Sequence, residues 1–356
     1  MVPGIGGVLA RNLVSYLGSV EQIFSTPLVR LMKIPGIGDG LAQRICESNF
    51  LEAAHRELEF IAKNEIRVYF YLDDDYPIRF RQCADAPILF FLKGNADIET
   101  QKVISVVGTR KATEYGRQVC DEMIRDIAAA GHEVLIVSGM AYGIDIQAHK
   151  SALKYNLPTI GVLGHGLDVL YPRSHHNTAN AMLTHGGLLS DFPSQSIIDR
   201  GNFVRRNRLI AGLSDATVVV ESGAKGGALI TAEIAASYDR DVYAFPGRSI
   251  DPYSKGCNLL IKNNVAALIE DANDLMLMLG WDTPGAIKQP VQQMLFTELT
   301  DEERLITGQL HRNEKIFIDT LRHNTQLPMS KLSGFLLTLE FKGVVDALPG
   351  KMYRLK

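Results

Sequence analysis

The 356-residue chain has only four cysteines (Cys46, Cys83, Cys120 and Cys257), none in a CxxC pair and none at a Cys/His spacing suited to zinc. That excludes a disulfide scaffold and a zinc module, and it reads as the reduced thiols of a cytoplasmic protein. No apolar run approaches the ~20 residues of a membrane span, and the start lacks the basic-then-apolar pattern of a secretory signal. Net charge is −3, so bulk attraction does not mark a polyanion binder, and any nucleic acid has to be met by local positive charge. Three fingerprints are also missing. Without G-x-x-x-x-G-K-[ST], P-loop ATP hydrolysis is disfavoured, and without G-x-G-x-x-G after the first buried strand a dinucleotide reading weakens. Without G-x-S-x-G there is no nucleophile elbow, despite Ser138, Asp145, His149 and His165.

What is present is a globular composition, 46% hydrophobic and 22% charged, long enough for two or three domains with a real core. The first segment repeats itself: "PGIGGVLARNL" from Pro3 and "PGIGDGLAQRI" from Pro35 begin 32 residues apart. Each is a tight turn entering an apolar-periodic helix (Ile5, Leu9, Leu13; Ile37, Leu41, Ile45). The pair resembles a tandem helix-hairpin-helix, whose hairpin amides meet a phosphate without reading bases. The alternative is a helical scaffold without DNA contact, because basic residues are sparse (Arg11, Arg30, Lys33, Arg44) and Asp39 sits inside the second hairpin. Pro3 leaves the first hairpin without a preceding helix, so that unit is incomplete or the true start lies upstream.

Residues 51–95 read as a helix followed by "IRVYFYL", "DDDYPIRF" and "APILFFLKG". Asp73, Asp74 and Asp75 are consecutive and cannot share a strand face, which favours a solvated loop over a metal site. From Gln101 the period changes. "KVISVVG", "EVLIVSG", "TIGVLG", "GLLSDF", "ATVVVES" and "DVYAFPG" are short apolar runs. Helical stretches at 114–130, 144–153, 177–184, 203–213 and 228–238 separate most of them. Buried strands alternating with helices predict a Rossmann-like, mostly parallel α/β sheet covered on both faces. Residues 282–296 read as a linker. Short helices and a hairpin around Pro349-Gly350 then suggest a winged helix, with Gly343 stopping its last helix. That helix offers only Lys331 and Lys342 as bases, so a protein-contact or structural role is favoured over groove reading. The expected divisions are 1–60 helix-hairpin-helix, 61–281 α/β, 282–297 linker and 298–356 winged helix.

Ligands of such sheets sit beyond the carboxyl ends of the strands, where the unusual residues fall. "VVGTRKATEYG" offers Gly108 for a sharp turn, the Thr109 hydroxyl and the Arg110 guanidinium ahead of a helix, a combination suited to phosphate. "VSGMAYGIDIQAH" brings Ser138 and Gly139, and "GHGLDVLYPRSHH" brings Arg173. "FVRRNRL" places Arg205, Arg206, Asn207 and Arg208 at a loop-to-helix junction, and "ESGAKGGALITAE" carries Gly226 and Gly227 at a helix entry. The competing reading of the arginines is pairing with acids such as Asp199 or Glu221. His149 reads as a helix-face partner, and His175-His176 as solvated.

"SVVGTRKATEYG", "SGMAYGIDIQAH", "GHGLDVLYP", "FVRRNRLIAGLS", "GGALITAEIA" and "VYAFPG", in that order, resemble the DNA-processing protein A family (DprA or Smf). The resemblance is dense over 103–271, and its flanks fit family architectures. It implies a non-enzymatic protein without cofactor or metal. Such a protein binds single-stranded DNA without sequence preference, dimerises through its Rossmann-like domain and loads RecA recombinase during natural transformation and recombination. Gly108, Thr109 and Arg110 fall in the family's first phosphate-facing loop, Ser138 and Gly139 in its second, and 205–208 in its arginine loop. Thr109 stands where the family often has Ser. Gly226-Gly227-Ala228 stands where it often has Ser-Gly-Ser, which removes hydroxyls. Base stacking would fall to Tyr142 or Phe203. A second reading is an enzyme: "KGGALITAE" resembles more loosely the nucleoside-monophosphate phosphoribohydrolases, with Thr231 and Glu233 in the working roles. A small-ligand sensor using the same cleft is a third.

Overall fold

The computed structural model describes residues 2, 4–47, 50–281, 299–311, 316–342, 344–348 and 352–355. The linker assigned to 282–297, Pro3, Gly343 and the Pro349-Gly350 turn therefore lie outside the described residues. The chain divides into two compact units, Met1–Pro284 and Gly285–Lys356.

The first unit opens with helices α1 (Gly7–Leu17), α2 (Val20–Ser25), α3 (Leu28–Leu31), α4 (Asp39–Cys46) and α5 (Phe50–Lys63). The repeat folds back on itself. Gly4 and Gly36 both take φ +86, and a Cβ would lie 3.0 Å from Leu41 at Gly4 and 2.8 Å from Leu9 at Gly36. Each hairpin thus packs on the other copy's helix at positions equivalent under the 32-residue offset, and only glycine tolerates that backbone so close to a leucine. Leu13, Leu31, Ala42 and Ile45 form the small core beneath. Arg11 does not face outward. It donates to the Ala84 and Ala86 carbonyls at 3.2 and 2.8 Å and lies over Tyr71, tying α1 to the α/β portion. Glu57 of α5 accepts from the Ser194 amide at 3.0 Å. These contacts explain why the segment divided at residue 60 by sequence shares a compact unit with the sheet.

The sheet comprises β1 (Arg67–Phe70), β2 (Leu89–Gly94), β3 (Val103–Gly108), β4 (Leu135–Ser138), β5 (Thr159–Val162), β6 (Gly186–Ser190), β7 (Ala216–Glu221), β8 (Asp241–Ala244) and β9 (Ala267–Leu268). Among the described residues its order is β1-β2-β6-β5-β4-β3-β7-β8-β9. β6 through β9 run parallel, and β1 and β2 close one edge antiparallel. Between them lie α6 (Ile78–Arg81), α7 (Glu114–Ala129), α8 (Ile144–Lys154), α9 (His176–Met182), α10 (Arg200–Leu213), α11 (Gly227–Ser237), α12 (Lys255–Lys262) and α13 (Ala272–Met278). Strand alternation divides the core. Val103, Val107, Leu135 and Val137 pack on one face, and Ile104, Val106, Ile136 and Val218 on the other. Asp73, Asp74 and Asp75 are exposed in the turn after β1.

The second unit contains α14 (Asp301–His311), β10 (Ile316–Phe317), α15 (Ile318–Thr325), α16 (Met329–Phe341), β11 (Val345–Leu348) and β12 (Met352–Leu355), with Ile306, Leu321, Leu332 and Leu336 at its core. Lys342 is committed to Glu303 at 2.8 Å. α16 shows solvent Leu337 and Phe341, the latter 84% exposed, which suits a nucleic-acid groove poorly.

Candidate functional site

The chain builds β3 to β6 in one direction and returns to β7 on the other side of β3. The resulting crevice at the carboxyl ends is a cleft of about 640 Å³. Its first wall is the turn after β3. The Thr109 amide donates to Glu221 O at 2.7 Å, and its carbonyl accepts from the Ile144 amide at 3.2 Å. Its hydroxyl accepts from the Lys111 amide at 3.1 Å. Gly143, at φ +83, lets the α8 start come this close, since a Cβ there would fall 2.0 Å from Thr109 O. Thr113 caps α7 and is held by Glu221, whose carboxylate accepts from its amide and hydroxyl at 2.9 and 2.7 Å. On this rigid turn the exposed Arg110 borders the cleft.

The floor holds two buried charges. Arg206 is 4% and Asp145 7% exposed, and a Cβ at Gly139 would lie 2.0 Å from one and 2.6 Å from the other. Glycine is required there because both side chains converge on the space its Cβ would fill. Arg206 Nη1 donates to Val162 O at 2.8 Å, while its Nε is buried without a partner. Burial pulls the Arg206 pKa down to about 10, against the attraction of Asp145. Burial likewise raises Asp145, although Arg206 opposes this. Desolvation thus works against both charges, and each depends on the other.

α10 forms the second wall. It begins at Arg200, capped by Asp199, whose side chain accepts from the Gly201 amide. Arg205–Arg208 therefore lies inside the helix rather than at its junction with a loop, and the helix distributes its arginines over different faces. Arg200, Phe203, Asn207 and Ile210 follow the i, i+3, i+7, i+10 spacing and line the cleft. Arg205 and Arg208, three apart, turn elsewhere. Arg205 lies 5.5 Å over the Phe192 ring, and Arg208 pairs with the partly buried Asp191 and the Asp85 carbonyl. The acids that sequence offered as partners, Asp199 and Glu221, are engaged otherwise. Tyr171, 49% exposed, stands 5.8 Å ring to ring from Phe203.

Gly226, Gly227 and Thr231 complete the cleft at the start of α11, whose first amides lack intrahelical partners. Glu233 is exposed. It lies two residues, about 200°, around the helix from Thr231, so the glutamate of the phosphoribohydrolase reading does not share Thr231's face.

Other expectations need correction. Ser138 is wholly buried and donates to Val106 O at 2.6 Å, so its hydroxyl serves the sheet. Arg173 borders a separate cavity with Lys93, Asp168 and His176. His175 is buried, donating to Met140 O at 2.8 Å and meeting Tyr142 edge-on at 4.9 Å, while His176 is exposed. His149, by contrast, is the helix-face partner expected of it. It is buried against Thr159 at 2.7 Å, with burial pushing its pKa down to about 3. Sequence reasoning missed Arg200 and Tyr171. Asp199 as a helix N-cap was the signal for the first; nothing local marked the second.

A family model described as DNA recombination-mediator protein A matches residues 67–280. The chain belongs to that family. A SAM-like helix-hairpin-helix tandem matches 1–48, and the DprA winged helix domain matches 293–351. Among the family's members, Protein Smf of Synechocystis sp. is 30% identical over 99% of this chain and 96% of its own length. The solved DprA of Streptococcus pneumoniae is similar at TM-score 0.66 and 32% identity, over 75% of this chain and 91% of that one. DprA of Helicobacter pylori, solved to describe its single-stranded DNA binding mode, is similar at TM-score 0.55 and 27% identity, over 62% of this chain and 97% of that one. Among the described residues no helix is long and apolar enough to cross a membrane.

Proposed function

We propose that this protein is a non-enzymatic mediator. It binds single-stranded DNA along the phosphate backbone, without sequence preference, in the strand-end cleft, and as a homodimer it delivers the strand to RecA recombinase during DNA uptake and recombination. The observation that carries this reading is the gathering of phosphate-binding groups around one cleft. Arg110 and Arg200 are exposed cations, and the α11 start presents amides. Such groups suit phosphates, and phosphates carry no sequence information. Tyr171 and Phe203 add ring surface on which any base can stack. Asn207, Gly108, Thr109, Gly226 and Gly227 shape the path, while Gly139 and Arg206 support it from below. Family membership and the DNA-binding relative support the same partner, and family resemblance is the ground for RecA and the homodimer. The exposed Leu337 and Phe341 of α16 favour a protein contact for the winged helix.

The test is a polarisation titration of mixed-sequence single strands, oligothymidylate and duplex. We expect single strands to bind well ahead of duplex, the two single strands to differ by less than about threefold, and affinity to fall with salt. Equal affinity for duplex, or a strong preference for one sequence, would reject the reading. RecA loading is checked by whether the protein speeds RecA's strand-dependent ATP hydrolysis.

A further inference from the structure

Beyond the cleft, on the side away from α10, the chain places cations that the site described above does not use. Lys225 directly precedes the Gly226-Gly227 wall and is exposed. Arg248 and Lys255, both exposed, flank the loop after β8. That loop adjoins the wall. The Gly256 amide donates to Ser222 O at 2.8 Å, and a Cβ at Gly223 would lie 3.5 Å from Pro252 O. Gly247 abuts Ser254, so Arg248 and Lys255 leave the loop from adjoining points; a Cβ at Gly247 would come 2.0 Å from the Ser254 hydroxyl. Tyr115, 50% exposed, joins the same surface by donating to Pro246 O at 3.3 Å.

The nearby acids leave this surface net positive. Asp251, held in the loop by the Tyr253 amide and the Ser254 hydroxyl, both at 2.9 Å, offsets one of the three cations. Glu221 is buried and held by Thr113, and Glu114 pairs with Arg117. Among the described residues Lys225, Arg248 and Lys255 form no ion pair. In a chain of net charge −3, three unpaired cations and an exposed ring at the lip of one cleft form a local electropositive surface.

We propose that this apron is a second contact surface for a polyanion backbone, over which a single strand continues after leaving the cleft past Gly226-Gly227. The proposal rests on the single-strand reading and extends its footprint. Lys225, Arg248 and Lys255 take phosphates, and Tyr115 offers a ring to a base. A strand short enough to sit in the cleft never reaches them.

The test uses the full chain with the triple substitution Lys225→Ala, Arg248→Ala and Lys255→Ala. It is titrated with labelled oligothymidylates of about 6 and about 25 nucleotides, which fall within and beyond the ~4–16 nucleotides a compact binding fold covers. The unaltered protein should bind both. The triple variant should bind the short strand unchanged and the long strand roughly 30- to 100-fold more weakly near 0.1 M salt, with a log–log salt slope shallower by about two. Unchanged binding of the long strand, or an equal loss on both, would overturn the apron while leaving the cleft reading standing. Failure of the unaltered protein to bind either strand would sink both. Melting of the variant at the temperature of the unaltered protein, expected for exposed side chains, excludes misfolding as the cause of a loss.

Discussion

Replacing Arg110 and Arg200 together with alanine is expected to weaken single-strand binding by at least about 100-fold, roughly 3 kcal/mol from two charge-assisted contacts. Both side chains are exposed and border the cleft, one from the turn after β3 and one from α10, so the fold should tolerate their loss. The weakening should be uniform across sequences, with the salt slope shallower by about 1.4 as two phosphate contacts disappear. Arg205→Ala serves as the contrast. It removes a cation only two residues from Phe203 and Asn207 of the α10 wall, but one that lies over Phe192, and affinity should barely change. Arg208→Ala should act through stability, because it leaves the partly buried Asp191 without its partner. Equal binding losses for all four arginines would mean that the strand meets α10 from a different side.

Arg206→Met should be the most destabilising single change at the site, costing about 3 kcal/mol of unfolding free energy at neutral pH. The substitution leaves Asp145 as a buried charge without its compensating guanidinium. The pH dependence carries the diagnostic sign. Burial raises the Asp145 carboxyl in the folded chain, and without Arg206 it should rise further. The native variant then binds more protons than its unfolded state, so its stability should increase as pH falls from neutral toward the ordinary carboxylate range. The deficit should return as pH rises back through the folded value. Urea unfolding across that window measures it. Asp145→Asn combined with Arg206→Met should recover most of the loss. A variant equally destabilised at every pH would show that Arg206 matters for packing alone.

Much of the fold is legible from residue order because the strands are short apolar runs between helices. The six runs from "KVISVVG" to "DVYAFPG" correspond to β3 through β8. Their near-total burial removes the polar alternation that would otherwise confuse strand with loop. The repeat at Pro3 and Pro35 is equally transparent, although its reciprocal glycine packing appears only in three dimensions. The site is less legible. Reading Arg205–Arg208 as a loop-to-helix junction lets all three arginines converge on one ligand. With the helix beginning at Arg200 on the Asp199 cap, 205–208 lie fully inside it on separate faces, and Arg200 reaches the cleft. Ser138 and His175 show the same limit. Ser138 ends β4 and His175 lies in the connection between β5 and β6, and both make their hydrogen bonds inside the protein. Tyr171 comes from the loop after β5, far in sequence from Phe203, so no local pattern could pair the rings.

The most direct test is photo-cross-linking of the unaltered protein to an iodouracil-substituted oligothymidylate at saturation, with the attached peptides read by mass spectrometry. Attachment at Tyr171 and Phe203, lost when Arg110 and Arg200 are both alanine, is the predicted result. Cross-links absent from both rings, with DNA attached elsewhere on the chain, would contradict it.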